Sequence, residues 1–174
     1  MPDSTLSQAL REAYAAAPSS VIIYHTLEIN HAAFTAPIRV VRDTADLTAT
    51  LEATAPHDPG AAVTFVGFRF DLVPPDSGPT AVPQCVIEID NVDRSILAQI
   101  EAAMTTTSLV TVIYRQFIST DLSVPQNNPP LTLTIMSITA NVFRIRATAG
   151  FGDLSNKRFP GVDYTAEVFP GLVA

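Results

Sequence analysis

Three sets of residues have side chains of the types that carry chemistry. They are the histidines and glutamate of HTLEINH (25–31), the acidic cluster of IDNVDR (89–94), and the isolated His57, Cys85 and Arg115. His25, Glu28 and His31 have the donor types of a metal set. The surrounding VIIYHTLEINH (21–31) is rich in β-formers, and on a strand Glu28 points away from both histidines, which themselves lie ~20 Å apart. One ion does not reach all three, and on a helix the spacing of six misses the i, i+4 geometry of zinc helices. Strand histidines at a core edge or a subunit interface are expected instead.

Asp90, Asn91 and Asp93 follow the apolar run of Cys85, Val86, Ile87 and Ile89 and precede a helical repeat of Ile96, Leu97, Ile100, Ala103 and Met104. A calcium site needs at least about six oxygens, usually on a glycine-bearing loop of about a dozen residues. The segment offers neither. Helix capping accounts for all three residues: Asp90 or Asn91 ends the strand and accepts from free N–H groups of the first turn, and Asp93 sets negative charge at the positive end of the dipole. His57 stands in the breaker PHDPG, and no serine occurs in a G-x-S-x-G setting. Neither G-x-G-x-x-G nor G-x-x-x-x-G-K occurs among the seven glycines, which argues against a nucleotide enzyme. Cys85, the single cysteine, reads as a buried small hydrophobe rather than a reactive thiol. Arg115, between Ile113 and Phe117 on one parity of LVTVIYRQF, is expected to meet a carboxylate or to reach an interface together with Tyr114. No catalytic residue, metal ligand or cofactor-binding residue is assigned, and no cofactor is expected.

The elements that hold these residues are mainly β. A helix is expected over 3–17, capped by Asp3 or Ser4, with Leu6, Leu10, Ala13, Tyr14 and Ala17 on one face and Pro18 as its stop. Residues 21–31 and 37–43 form a first hairpin. Leu47 and Leu51, four apart behind Asp43, mark a short helix between 44 and 54. In AAVTFVGFRFDLV the residues Val66, Phe68, Phe70 and Leu72 share one face of a single strand, with Gly67, Arg69 and Asp71 on the other. A proline-rich loop (74–83) leads to a strand at 84–90, the helix at 93–104, a strand at 109–119 and a second loop at 119–130. In the β-prone stretch from Leu131 to Thr148 the apolar parity switches near Ser137. Either a bulge or bend lies there, or the strand is long enough to enter a neighbouring subunit. The last residues, 149–174, lack periodicity but contain Phe159, Tyr164 and Phe169, aromatics expected to dock on the chain's own barrel or on a neighbour.

With 174 residues, a single domain over 1–174 is expected, its β-barrel or sandwich core at 20–148. Apolar residues at 47% against 16% charged exclude a disordered chain and point to a weakly charged surface that invites partners. A net charge of −7, with nine arginines and only Lys157 beside them, supplies no basic stripe for nucleic acid. The start MPDSTLSQAL has neither a basic end nor an apolar core, and no apolar run approaches ~20 residues, so a soluble protein made in the cytoplasm, without membrane insertion, is expected.

In order, LEINHAAFTAPIRVV, VTFVGFRFDLVPP, IEIDNVDRSILAQI, VTVIYRQFIS and FGDLSNKRFPGVDYTAEVFPGL resemble a family of minor tail or tail-tip proteins of long-tailed bacteriophages and prophages, a family known only as a domain of unknown function. The resemblance spans roughly residues 20–172; IDNVDR and the closing FP and FPGL motifs are its most distinctive parts. It implies a structural virion protein at the distal end of the tail, a β-sandwich or barrel of the tail-tube type with one packed helix and long loops. It further implies a homo-oligomeric ring, hexameric rather than trimeric, between tail tube and tip hub, with tube, tape measure and hub proteins as partners. It carries over no catalytic residue. A receptor- or carbohydrate-binding β-sandwich would also lack catalytic motifs, but such surfaces display aromatics and the chain has no tryptophan. A hydrolase would need a site assembled in space.

Overall fold

The runs of period 2 pair into one sheet. The computed structural model describes residues 5–73, 84–90, 108–140 and 144–150. Within them a helix, α1 (Gln8–Ala16), precedes nine strands: β1 (Ile23–Asn30), β2 (Ile38–Val41), β3 (Leu47–Thr50), β4 (Ala62–Gly67), β5 (Phe70–Val73), β6 (Gln84–Asp90), β7 (Thr111–Ile118), β8 (Leu131–Ala140) and β9 (Arg144–Gly150). The strands lie in the order β3-β4-β2-β1-β7-β8-β9-β6-β5. All neighbours are antiparallel except β2 and β4, which are parallel and touch through only Val40↔Val66 and Val41↔Gly67. The fold is mainly β. No helix among the described residues is long and apolar enough to cross a membrane.

The central pair is β1–β7, in register from Ile23↔Ile118 to Asn30↔Thr111. Alternation gives this ribbon two differently used faces. Leu27, Ile29, Val40 and Val112 form the first face and pack with Phe70, Cys85, Ile87, Leu133, Ala147 and Ala149. The sheet therefore rolls over so that β5, β6 and β9 cover β1, β2 and β7. An ion pair at the rim, Arg42 to Asp71 at 2.9 Å, joins the end of β2 to β5. On the second face Val41 and Phe117 meet Leu47, Ala49, Leu51, Val63 and Phe65 from the β3–β4 hairpin, which folds across that side. Phe65 and Phe117 lie in a tilted contact with ring centroids 6.0 Å apart.

Three expectations need correction. The short helix between 44 and 54 is strand β3. A spacing of four fits one helical turn and also two strand periods, and here Leu47, Ala49 and Leu51 are buried while Thr48 is exposed. The single strand from 61 to 73 is two strands. Val63 and Phe65 face the second core, Phe68, Phe70 and Leu72 pack on the first, and Val66 is exposed. The switch comes at Gly67, whose N–H donates to Asp46 Oδ1 at 2.9 Å. A Cβ there would lie 3.0 Å from backbone atoms of Thr44 and Ala45. Thirdly, α1 begins at Gln8 rather than near Asp3. Its cap is Ser7, whose Oγ accepts from Leu10 N–H, because Leu6 is held in a bridge to Asn127.

The stretch from Leu131 to Thr148 folds back on itself as the β8–β9 hairpin. The parity switch near Ser137 is a register shift between Ile135 and Ser137 that leaves Met136 exposed, as a bulge does. The helix expected at 93–104, the loop at 74–83 and the tail after Gly150 lie outside the described residues.

Because the atoms facing Gly67 belong to the backbone, they cannot rotate away from an added methyl. Gly67→Ala should lower stability by about 1–3 kcal/mol, measured as a lower urea midpoint with an unchanged slope.

Candidate functional site, a buried ion cluster and a donor-lined cavity

Each face of the β1–β7 ribbon holds a polar assembly. On the second face Arg115 is wholly buried. Its Nε and Nη2 each donate to one carboxylate oxygen of Glu52 at 2.8 Å, and its Nη1 donates to Glu28 Oε2 at 3.3 Å. Glu28 Oε2 also accepts from Arg39 Nε at 3.0 Å, and Arg39 Nη2 reaches Asp58 at 2.7 Å. Two guanidiniums thus meet three carboxylates. Glu28 Oε1 is buried with no partner among the described residues, so Oε2 alone carries Glu28's contacts. The register positions both charges: Thr26 is opposite Arg115, which places Glu28 one step along the same face. The segment after β3 delivers Glu52 and Asp58, and its His57 rests its Nε2 against Asn30 Nδ2.

This pairing is one of the two uses the sequence allows for Arg115. Its wholly buried side chain lies within the chain. Glu28, considered above only as a metal ligand, is its partner. The clue was a lone glutamate in one apolar strand and a lone arginine in another, each of which needs the other if both are buried.

On the first face the strand ends carry polar groups. Gln116 Nε2 donates to the hydroxyls of Tyr14 and Tyr114 at 2.7 and 2.6 Å. The Tyr114 hydroxyl lies 2.6 Å from His25 Nδ1. One of the two neutral groups donates at this contact: either the phenol gives its proton to Nδ1 and Nε2–H remains as a donor, or Nδ1–H donates to the phenol oxygen and the phenol proton remains. Burial, aided by the charge of Arg42, lowers the His25 pKa below its ordinary value and so agrees with a neutral imidazole. Burial also raises the Tyr114 phenol far above the ordinary range. These groups line a cavity of about 270 Å³ whose other walls include Phe70, Leu72, Cys85 and Leu131. Burial pushes the Cys85 thiol up and keeps it in its inert form.

The neighbouring loop sets the cavity's roof. β8 pairs with β7 only from Thr111 to Tyr114. Beyond it the side chain of Asn127 takes the missing strand's place, accepting from Gln116 N–H at 2.9 Å and donating to Tyr114 C=O at 3.0 Å. Gln126 N–H donates to Gln116 C=O, and Gln126 C=O accepts from Ser7 N–H. The loop that completes the ladder therefore also docks the start of α1, and α1 brings Tyr14 to the cavity.

His25 and His31 serve separate local bonds, as the strand geometry requires: His31 Nε2 lies 3.1 Å from Ser108 C=O, and its Nδ1 accepts from Ala33 N–H at 3.0 Å. Among the described residues no three His, Cys, Asp or Glu side chains are grouped to hold a metal ion. Asp90 is the last residue of β6, opposite Arg144. Asn91, Asp93, Phe159, Tyr164 and Phe169 lie outside the described residues.

The fold and its cavity define a mainly-β protein built on one mixed sheet. The model of the family described as Domain of unknown function (DUF1833) matches residues 9–164, and the chain belongs to that family. No curated protein matches the chain.

Arg115→Met should cost about 3–5 kcal/mol, because it takes the bidentate partner from Glu52 and leaves the buried Glu28 carboxylate to Arg39 alone; chemical denaturation reads this directly. The lowered His25 pKa gives a second expectation. The unfolded chain takes up this proton near pH 6.5 and the folded chain only below it. Between those values the unfolded state binds more protons, so the contribution is complete above about pH 6.5 and is lost as pH falls toward the folded value. The difference in melting temperature between wild type and His25→Gln should shrink on acidification below about pH 6.5.

Proposed function

We propose that the chain is a structural subunit of a bacteriophage tail tip, a non-catalytic ring component between tail tube and hub, hexameric in preference to trimeric. The ordered motifs that resemble those of tail-tip proteins support the setting. The observation that carries the assembly role is the open sheet: among the described residues β3 and β5 are its terminal strands, each with a strand partner on one side only. Unpaired strand edges are templates for another chain, and a heterologous contact repeated under cyclic symmetry closes into a ring.

At β3 the direction of the outward groups is set by Thr50. Thr50 N–H leaves the ladder for Leu122 C=O at 2.9 Å. By the alternation of an antiparallel pair, the N–H and C=O of exposed Thr48 point to the same open side. Leu109 and Met136, 69% and 52% exposed, add apolar surface at the β7–β8 end. A ring of copies each with net charge −7 would offer DNA a like-charged channel.

Light scattering on the purified chain should show mass rising with concentration toward a closed oligomer. Thr48→Pro removes a donor on the open side while sparing the β4 ladder, so it should fold and assemble less. A wild type that stays monomeric throughout, or a Thr48→Pro variant that assembles like wild type, would reject assembly through this edge.

A further inference from the structure

We propose that the cavity beneath Tyr14 is a binding site for a small apolar carboxylate. The inference is independent of the assembly role and rests on which protons the hydrogen-bond network leaves free. Gln116 Nε2 uses its two N–H groups on Tyr14 and Tyr114, and the contact between the Tyr114 hydroxyl and His25 Nδ1 uses one proton of that pair. Among the described residues two donors are left over, the Tyr14 O–H and the second proton of the Tyr114–His25 pair, carried by His25 Nε2 or by the phenol. Arg42 adds a third: its backbone N–H ties it to His25 C=O, and its guanidinium gives Nη2 to Asp71 while its other nitrogens have no partner among the described residues. An array of donors with a fixed cation selects an oxygen acceptor bearing negative charge.

Phe70, Leu72, Cys85 and Leu131 make the rest of the wall apolar. A mostly apolar cavity with a few converging polar groups is the usual form of a small-molecule site. At about 270 Å³ it has room for about nine water-sized groups, the size of a carboxylate on one ring or a short aliphatic chain. A free acid and a peptide ending in an apolar residue present the same chemistry.

The test is a benzoate titration of the full chain with methyl-labelled leucines, followed by NMR. Saturable shifts are expected at the Leu72 and Leu131 methyls and the His25 imidazole. Benzylamine, of similar shape and opposite charge, should bind at least about tenfold more weakly. Tyr14 is half exposed, so Tyr14→Phe should fold normally and weaken benzoate by about fivefold through the lost donor. Leu72→Trp, which fills the cavity, should abolish binding. N-acetylphenylalanine run beside benzoate separates the two sources: the tighter ligand identifies a chain end or a free acid, and either upholds the site. No saturable shift with either acid, equal binding of benzylamine, or an undiminished Tyr14→Phe affinity would overturn it. Since each readout is made on dilute protein, failure here leaves the assembly test standing, and the reverse.

Discussion

A guanidinium taken out of water must be met by carboxylates, and the way Arg115 is met organises much of the molecule. Glu28 reaches it only if β1 and β7 pair in the observed register, since a slip by one residue would send Glu28 to the opposite face. Glu52 reaches it only if β3 and β4 fold across the second face, and the same movement buries Leu47, Val63 and Phe65 on Phe117. Charge and apolar packing thus specify one arrangement. The apolar contacts supply the driving force, and the ion cluster penalises alternatives in which a charge is buried alone.

The first face is organised by a different need, the completion of a ladder. β8 stops pairing at Tyr114, and the backbone groups of β7 beyond it would otherwise lack partners. Asn127 and Gln126 provide them and carry the N-terminal segment with them through Ser7. The geometry of the cavity follows from this repair: its roof belongs to α1, its polar side to β1 and β7, and its apolar side to β5, β6 and β8.

The legible parts of the fold were those governed by local period. The strands at 23–30, 84–90 and 111–118 and the irregularity at Ser137 follow from alternation within a few residues. What escaped depends on distant chain. Leu47 and Leu51 fit two periods equally, and only burial against Phe117 decides between them. The division at Gly67 is imposed by the backbone of Thr44 and Ala45. Arg115 was visible as an anomaly, but Glu28 and Glu52 are 87 and 63 residues away, and no spacing links them. The cavity draws on five strands and a helix, so its members share no motif.

That separation of 87 residues has a consequence for synthesis. β1 can pair with β2 as soon as both have left the ribosome, with Glu28 held by Arg39. Its other edge, and the second cation for its buried carboxylate, arrive only with β7. The nascent chain therefore carries an unfinished sheet edge through about half of its elongation. Long-range pairing of this kind makes for slow folding and prolonged exposure to misassembly during translation.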